Sequence, residues 1–494
     1  MEKEKKDIIT QIRDNINEAD KMIWLIAVLL MLLSLVAIFS STSSMAIKLD
    51  TSRLSILVSQ VGVVFAGIVI LLGITALPNV KYIKTVSKYG FVLSLFLLLV
   101  IVTGQPKLPF FKPILSNEAT RAISVFGFSV QVYEVVKVAM VMYLSWAMTS
   151  YEEDKFSLVE KLGTAFPKYL GWMKSSWGKR WIYINIPLLV TTGLILVGSN
   201  SSAVLIALIM GMTVVLGGMK VKHIAELMIV GIVGISILVG IHILSNGKFI
   251  ARMQTFFNRL KIEVPYPDPE VRAKQHEKVR LKSITLEEGE EMSKEEKRIY
   301  KDKNLQSRSA ELAFVDGGRR ILGKGPGKST QKYIVPLIFE DYMFSFLMEE
   351  YGFLGCILVI ILYVSLFARG VIIVRNCSKR FAKTCIGGLV FLITFQALFH
   401  ILINCNIGLL TGQTLPMISH GKSSFLCFTV AFGVILSISR MANNKIRKEM
   451  NEARKLMQED SVKAAVSDIE ALEASLESGE QAFEDFFDNS KKSI

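Results

Sequence analysis

Long apolar segments separated by charged loops dominate this chain and decide what it can fold into. A run of about 18 or more apolar residues can cross a bilayer, and it does so as a helix because a helix pairs its backbone polar groups internally. With 51% hydrophobic residues and a mean hydropathy of +0.44, the 494-residue chain is too apolar for a soluble protein of its size. The apolar runs are 22–40, 56–77, 89–103, 132–148, 181–197, 203–218, 227–244, 344–367, 386–404 and 424–438. The sequence therefore predicts an all-α polytopic membrane protein with about ten transmembrane helices.

Lysine and arginine in the short loops predict the orientation of these helices, because cationic loops are retained in the cytoplasm. Basic residues are concentrated in the tail 1–21, in 78–88, in 150–180, at Lys220 and Lys222, and in the segment RNCSKRFAK before the ninth run. These segments fall on alternate sides of the predicted membrane. We therefore expect both termini in the cytoplasm and the large loop between spans 7 and 8 outside.

The expected organisation follows from these boundaries. It comprises a cytoplasmic tail (1–21), spans 1–7 (22–244), an extracytoplasmic loop (245–336), spans 8–10 (337–440) with a re-entrant-like outer loop (407–423), and a cytoplasmic tail (441–494). The net charge of +14 fits an anionic inner leaflet. No base-reading or stacking signature favours nucleic-acid binding.

Residues 323–330, GKGPGKST, look like a nucleotide-binding loop but do not match one. The phosphate-binding pattern G-x-x-x-x-G-K-[ST] requires a glycine at position 322, where this chain has Leu322. The predicted orientation also puts the turn outside the membrane, where ATP is scarce. Both observations argue against an ATPase, although a phosphate contact by the amides of this turn and by Lys324, Lys328 or Lys332 stays open.

Charged residues also occur where the membrane makes them costly. Glu134 and Lys137 are three positions apart near the start of the fourth span, so they share one helix face. They are expected to pair with each other or with polar groups across the bundle. A structural ion pair and a substrate or ion pathway both explain them.

Three ordered motifs make the chain resemble the SEDS family of cell-wall glycosyltransferases, which includes FtsW, RodA and SpoVE. GKGPGKSTQK followed by VPLIFEDYMFSFLMEEYGFLG is similar to the family's glycine-rich turn and its E-E-x-G segment. TGQTLPMISHGKSSF is similar to the family's T-G-x-P-L-P-x-I-S-x-G-G-S-S loop. The stretch between Arg121 and Lys137 is similar to the family's R-W-I segment followed by Q-P-S-E-x-x-K. The serine-ending form GPGKSTQK is more like the division-type member FtsW than the elongation-type RodA.

The resemblance implies substrate-binding roles for the motif residues. These are Arg121, Gln131, Glu134, Lys137, Gln306, Lys324, Ser329, Gln331, Lys332, Asp341, Glu349, Glu350, Pro416, Ser419, Ser423 and Ser424. The chain also departs from the family: Ala122 replaces a tryptophan, Val132 and Tyr133 replace Pro-Ser, and Lys422 stands where the second glycine is expected. The segment GSNSSA at 198–203 lacks the usual aspartate. These departures indicate a divergent branch.

The implied reaction is polymerisation of lipid II into glycan strands during septal cell-wall synthesis, on the outer face of the cytoplasmic (inner) membrane. Transfer of the growing strand from its polyprenyl pyrophosphate needs a base and positive charge at the leaving group. In the family the base is an aspartate shortly before a glutamine that precedes the glycine turn, which favours Asp302 before Gln306. Asp268, in the Asp-Pro pair of PYPDPE, is the alternative, because an insertion at about 270–301 separates the two.

The resemblance also implies partners. A class B penicillin-binding protein would crosslink the strands, other divisome proteins would accompany it, and the tail 441–494 could recruit one of them. A divalent cation, magnesium or manganese, is plausible on the pyrophosphate, although the sequence identifies no dedicated protein site. A lipid II flippase, an elongation-type polymerase and a scaffold without chemistry remain alternatives.

Overall fold

The structure, a computed structural model, describes residues 16–48, 50–103, 111–116, 119–125, 128–244, 305–333, 335, 338–407 and 412–443, with isolated positions near both termini. The chain divides into two compact units, Met1–Arg440 and Met441–Ile494. The first unit contains the helices and the sheet discussed below. Most of the large loop 245–336, including Asp268 and Asp302, lies outside the described residues.

Helices form most of the described part of the first unit, which confirms a mostly helical polytopic membrane protein. They are α1 (Lys21–Ser41), α2 (Ser43–Lys48), α3 (Arg53–Thr75), α4 (Val80–Ser87), α5 (Gly90–Thr103), α6 (Val132–Glu152), α7 (Ser157–Ala165), α8 (Ser176–Gly198, with a π-helical turn at Trp181–Asn185), α9 (Asn200–Leu216), α10 (Val221–Leu244), α11 (Leu305–Gly318), α12 (Met343–Asn376), α13 (Arg380–Asn404) and α14 (Lys422–Asn443). Single helical turns at Pro167–Leu170 and Gly171–Lys174 join α7 to α8.

Eight helical segments among the described residues are long and apolar enough to cross a membrane. They are α1, α3, α4 with α5, α6, α8, α12, α13 and α14. The sixth predicted span corresponds to the shorter apolar α9, and the seventh lies within α10. The count of ten spans stays a prediction.

The basic loops predicted to be cytoplasmic meet at one end of the helix bundle. Asp20 caps α1 and also accepts from Arg369 near the end of α12 at 2.7 Å. Lys84 pairs with Glu153 at 3.4 Å, and Arg180 pairs with Glu226 at 2.6 Å. Arg380 at the start of α13 pairs with Glu152 at the end of α6, and Arg440 in α14 donates to the Leu77 carbonyl after α3. These pairs bring together helix ends that border the basic segments, and which side of the membrane each loop occupies stays a prediction.

A three-stranded antiparallel sheet stands at the opposite end and adds a small β element, which the sequence did not predict, to the mostly helical fold. Its strands are β1 (Phe111–Ser116), β2 (Ala119–Val125) and β3 (Phe128–Gln131), in the order β1-β2-β3. The register shifts between Ile114 and Leu115, next to Pro113, which lacks the amide that a ladder needs. The short strands and the proline gave no clear two-residue alternation in the sequence. Since β3 ends where α6 begins, the sheet positions the start of that helix.

A sharp bend interrupts α12 at Gly352, whose φ is 66° and ψ −163°. That conformation is essentially restricted to glycine. The bend separates a short entry helix, which carries Glu349 and Glu350, from the longer apolar segment. The two carboxylates are therefore presented at the end of the bundle that contains the sheet.

Candidate functional site

The three motif regions converge at the end of the bundle where α1 ends and α6, α12 and α14 begin. Gln131 N, at the end of β3, donates to Ser423 Oγ in α14 at 3.0 Å. Ser40, near the end of α1, contacts Glu350 in α12. The predicted orientation makes this the outer face. The site consists of a buried lysine network, a glycine turn closed over two carboxylates, and an open polar cavity.

The buried lysine network surrounds Lys137, which is 2% exposed. Its Nζ donates to Glu134 Oε1 at 2.7 Å, to Gln396 Oε1 at 2.7 Å and to Gln413 Oε1 at 3.0 Å. This confirms that the two charges pair with each other and with groups across the bundle. Glu134 Oε2 is buried and has no hydrogen-bond partner among the described residues. The three bonds satisfy all donors of the ammonium group.

A polar stripe on α13 supports this network and was missed in the sequence. Gln396 Nε2 donates to the Thr414 carbonyl at 3.1 Å, and Asn404 Oδ1 accepts from Ser345 N at 2.9 Å. His400 Nδ1 contacts the Gln413 carbonyl at 2.7 Å, and its Nε2 accepts from Phe344 N, so its proton is on Nδ1. Spacing by four in an apolar span places all three side chains on one helix face, which is a signal the sequence contains.

The glycine turn, residues 323–332, folds onto Glu349, whose side chain is fully buried. Glu349 Oε1 accepts from Lys324 Nζ at 2.6 Å, from Thr330 N at 2.9 Å and from Thr330 Oγ1 at 2.9 Å. Its Oε2 accepts from Ser329 Oγ. The backbone of the turn also binds to Glu349, because Lys324 N donates to the Glu349 carbonyl at 2.9 Å.

Glu350, also fully buried, binds the second half of the turn. Its carboxylate accepts from Ser40 Oγ at 2.6 Å and from Ser329 N at 3.3 Å. Lys332 Nζ lies 3.5 Å from Glu350 Oε1 and donates to the Gly327 carbonyl at 2.7 Å. Serine, lysine and backbone groups from separate segments therefore satisfy this charge.

These contacts change the interpretation of the glycine turn. The amides of Ser329 and Thr330, which an anion could have used, donate to the carboxylates of Glu350 and Glu349. Lys324 and Lys332 are paired with the same carboxylates. The turn binds anions, as a phosphate loop does, but these anions are the protein's own carboxylates, those of Glu349 and Glu350. Substrate contacts by Lys324, Ser329, Gln331 and Lys332 stay predictions.

The rim of the turn carries an ion pair whose pKa values are shifted. Asp316 Oδ2, at the end of α11, lies 2.8 Å from Lys324 Nζ. The hydrogen bond from Lys324 lowers the pKa of Asp316 below its usual value. Burial acts to lower the pKa of Lys324, but its hydrogen bonds to Asp316 and Glu349 raise it above the ordinary value. Both groups are therefore held in their charged forms.

We expect the Asp316–Lys324 pair to make stability depend on acid. A carboxyl with a lowered folded pKa stabilises the fold above its unfolded pKa of about 3.9, and the effect is lost as the pH falls through the folded value. Asp316→Asn should therefore lower the thermal midpoint at pH 7, and its difference from wild type should shrink below about pH 4. Thermal midpoints from pH 7 to pH 3 measure this. Glu311→Gln on the same helix is the control, and a gap that stays constant with pH would contradict the assignment.

The loop between α13 and α14 is packed as a structured outer loop. Ser419 Oγ donates to the Glu340 carbonyl at 2.8 Å and accepts from Leu415 N at 2.9 Å. The Pro416 carbonyl accepts from Tyr363 in α12, and Thr414 Oγ1 contacts Ser424 Oγ at 2.9 Å. These bonds fix the loop against the entry to α12.

Beside this loop lies an open cavity of about 470 Å³. Strand β3, the turn before α12 and the start of α14 form its walls. Its lining residues are Phe128, Ser129, Gln131, Glu340, His420, Gly421, Lys422 and Ser423. Gln131 and Ser423 were predicted here, whereas Glu340, His420 and Lys422 had not been assigned a role. The sequence feature that could have identified the last three residues is their position inside the two motifs VPLIFEDYMFSFLMEEYGFLG and TGQTLPMISHGKSSF.

The remaining predicted residues are distributed around this site. A Cβ on Gly412 would lie 3.1 Å from Asp341 Oδ2. The carboxylate of Asp341 therefore borders the outer loop. Arg121 lies in β2 and Gln306 in the first turn of α11, but their side chains are outside the described part. Asp302 and Asp268 also lie outside it. Their roles stay predictions.

Comparisons with known proteins agree with the motifs. The model of the family described as "Cell cycle protein", FTSW_RODA_SPOVE, matches residues 20–266 and 290–444. Stage V sporulation protein E of Bacillus subtilis is 26% identical over 430 residues, covering 85% of this chain and 97% of that protein. A Methylomonas methanica protein named "Probable peptidoglycan glycosyltransferase FtsW" is 25% identical over 422 residues, covering 84% of this chain and 91% of its own.

A solved structure shares the fold. It is described as "Structural coordination of polymerization and crosslinking by a peptidoglycan synthase complex", and one of its chains superposes with a TM-score of 0.53 at 17% identity. The match covers 86% of this chain and 98% of that chain. The helical bundle and its order of helices are therefore those of a known membrane fold.

Proposed function

Because the chain belongs to the cell cycle protein family of FtsW, RodA and SpoVE, we propose that it is a peptidoglycan glycosyltransferase that polymerises lipid II outside the cytoplasmic membrane. The observation that carries this proposal is the convergence of three distant motifs on one end of the bundle. Lys137 contacts Gln413, which is 276 residues away, and Gln131 contacts Ser423, which is 292 residues away. Such an outer assembly suits chemistry on a membrane-anchored substrate.

The proposed reaction is a single displacement at the anomeric carbon of the lipid-linked strand. The 4-hydroxyl oxygen of the incoming lipid II sugar forms the new C–O bond, and the bond to the pyrophosphate breaks. A carboxylate takes the hydroxyl proton, and polyprenyl pyrophosphate leaves with the bonding electrons. Asp302 is our first candidate for the base and Asp268 the second. Cationic groups on the outer face would stabilise the leaving group.

A divalent cation is not assigned to the protein. Within the described ranges, no group of three or more His, Cys, Asp or Glu side chains could hold a metal ion. A magnesium or manganese ion on the pyrophosphate of the substrate stays a proposal, with no protein ligands assigned to it.

The proposal includes a partner and a place in the cell. A class B penicillin-binding protein would crosslink the strands made here, as expected for a family whose solved relative belongs to a peptidoglycan synthase complex. We propose the inner membrane at the division septum as the location, on the FtsW-like form of the glycine turn. An elongation role is the alternative, and localisation in dividing cells distinguishes them.

Polymerisation of labelled lipid II by the purified protein with its transpeptidase and a divalent cation tests the proposal. We expect glycan strands from wild type and from Asp268→Ala, and none from Asp302→Ala. The reverse pattern would move the base to Asp268. Folded wild type that makes no strands under any activating condition would contradict the enzyme assignment.

The buried Glu134–Lys137 pair favours transport as the second candidate, because intramembrane charges often mark pathways. Translocation of lipid II in the same vesicles, without polymer, would support a flippase. The pair lies in the first two turns of α6, next to the outer loop, which favours a role at the outer site.

A further inference from the structure

The cavity between β3 and α14 is lined by charged groups that have no role in the proposed reaction. Lys422 is the first residue of α14, lines the cavity and is half-buried. It makes no hydrogen bond or ion pair with any of the described residues. It is also one of the departures from the family motif, which has glycine at this position. A cation therefore lies at an open cavity whose other lining residues are mostly polar.

The start of α14 adds to the positive potential of this cation. The first amides of a helix have no intrahelical acceptor, and the helix dipole favours an anion beside them. Here the first intrahelical bond runs from Phe425 N to the Gly421 carbonyl at 2.8 Å. Gly421, Lys422 and Ser423 all line the cavity. The end of a 22-residue helix therefore borders the same space as the lysine.

An independent observation is the imidazole of His420 in the cavity wall. The residue is 8% exposed, and its Nδ1 is buried without a hydrogen-bond partner in the described part of the chain. Glu340 Oε1 lies 4.0 Å from this nitrogen, which is beyond hydrogen-bond distance. Buried polar atoms are normally paired, so this nitrogen lacks a partner that a bound molecule could supply.

Glu340 gives the cavity a second, opposite charge. Its side chain is 30% exposed and lines the cavity together with His420 and Lys422. A carboxylate accepts hydrogen bonds from hydroxyl groups, whereas a lysine and a helix N-terminus bind anionic oxygens. The cavity therefore suits a molecule that carries both anionic oxygens and hydroxyl groups.

We propose that this cavity binds the sugar diphosphate headgroup of the lipid-linked substrate, with Lys422 on a diphosphate oxygen and Glu340 and His420 on the sugar side. This inference rests on the proposed function and makes Lys422 a substrate-binding residue. Inorganic pyrophosphate shares the anionic part of that chemistry, so it should occupy the lysine end and compete weakly.

Binding of lipid II to the purified protein in detergent tests this, without dependence on turnover. Losing one charge-assisted hydrogen bond costs about 1.5–3 kcal/mol, so Lys422→Gln should raise the Kd for lipid II about tenfold or more, and Lys422→Arg should stay close to wild type. Lys81→Gln, an exposed lysine on the cytoplasmic side, is the matched control and should bind as wild type. Glu340→Gln should weaken binding of lipid II but not of inorganic pyrophosphate.

Three results would overturn the inference. One is a Kd for Lys422→Gln equal to that of wild type, with an unchanged thermal midpoint. Another is equal weakening of binding to phosphatidylglycerol in the same detergent, which would make Lys422 a non-specific cation for anionic lipid headgroups. The third is inorganic pyrophosphate that fails to compete with lipid II at any concentration. Polymer formation is measured separately, so lipid II binding that depends on Lys422 in a protein without polymerase activity would refute only the proposed function.

Discussion

Replacing Lys137 with methionine is expected to destabilise the protein by about 3–5 kcal/mol, because breaking a buried ion pair leaves an uncompensated charge. Lys137 is the donor to three acceptors, Glu134 Oε1, Gln396 Oε1 and Gln413 Oε1. Methionine fills a similar volume but donates nothing, and Glu134 Oε2 already lacks a partner among the described residues. The measurement is the free energy of unfolding, or the shift in thermal midpoint, of the purified protein in one detergent.

A double variant separates charge from packing. Glu134→Gln in the Lys137→Met background removes the stranded charge, so we expect it to recover a large part of the lost stability. Activity need not return with stability. A stable double variant without polymer would show that the Glu134–Lys137 pair is needed for activity as well as for stability. A loss below about 1 kcal/mol in Lys137→Met would instead show that the network is hydrated and weak.

The sequence was sufficient for features that depend on local pattern. Apolar runs located most of the helices, and a spacing of three placed Glu134 and Lys137 on one helix face. The sheet was missed because its strands are short and interrupted at Pro113. The motifs around Lys137 and Ser423 indicated which segments to consider as the candidate site, but they did not show which atoms are in contact.

Partners that are far apart in the chain could not be predicted. Ser40 and Glu350 are 310 residues apart, and Lys137 and Gln396 are 259 apart, so no local pattern connects them. Each polar side chain looked like a possible substrate ligand in the sequence, since its internal partner was not visible. The packing shows which polar side chains have an internal partner and which remain available to a substrate. Glu349 and Glu350 have internal partners, whereas Lys422 has none among the described residues.

The second large effect is expected at Gly352, where alanine should cost about 2–5 kcal/mol through backbone strain and crowding. Its φ of 66° is unfavourable for residues with a side chain, and an added Cβ would lie 2.2 Å from Gly323 N and 2.5 Å from the Arg320 carbonyl oxygen. The neighbouring chain cannot move away freely, because Phe353 N and Leu354 N donate to the Arg320 and Ile321 carbonyls. The glycine turn would therefore be pushed off the entry helix of α12, and the bonds of Lys324 and Ser329 to Glu349 would lengthen. Thermal midpoints and limited proteolysis within the turn would report this.

Gly73→Ala is the matched control for this prediction. Gly73 is helical within α3, and an added Cβ there would have no neighbour within 4 Å. Alanine should therefore be neutral or stabilise that helix by about 0.5–1 kcal/mol. If Gly352→Ala has the same midpoint as wild type, the turn does not depend on this close approach, and the carboxylates alone hold it. If Gly352→Ala is destabilised and Gly323→Ala equally so, while their combination costs little more than either, the two glycines act as one contact. That non-additivity is expected, because each would-be Cβ lies within 2.5 Å of the other residue's amide nitrogen.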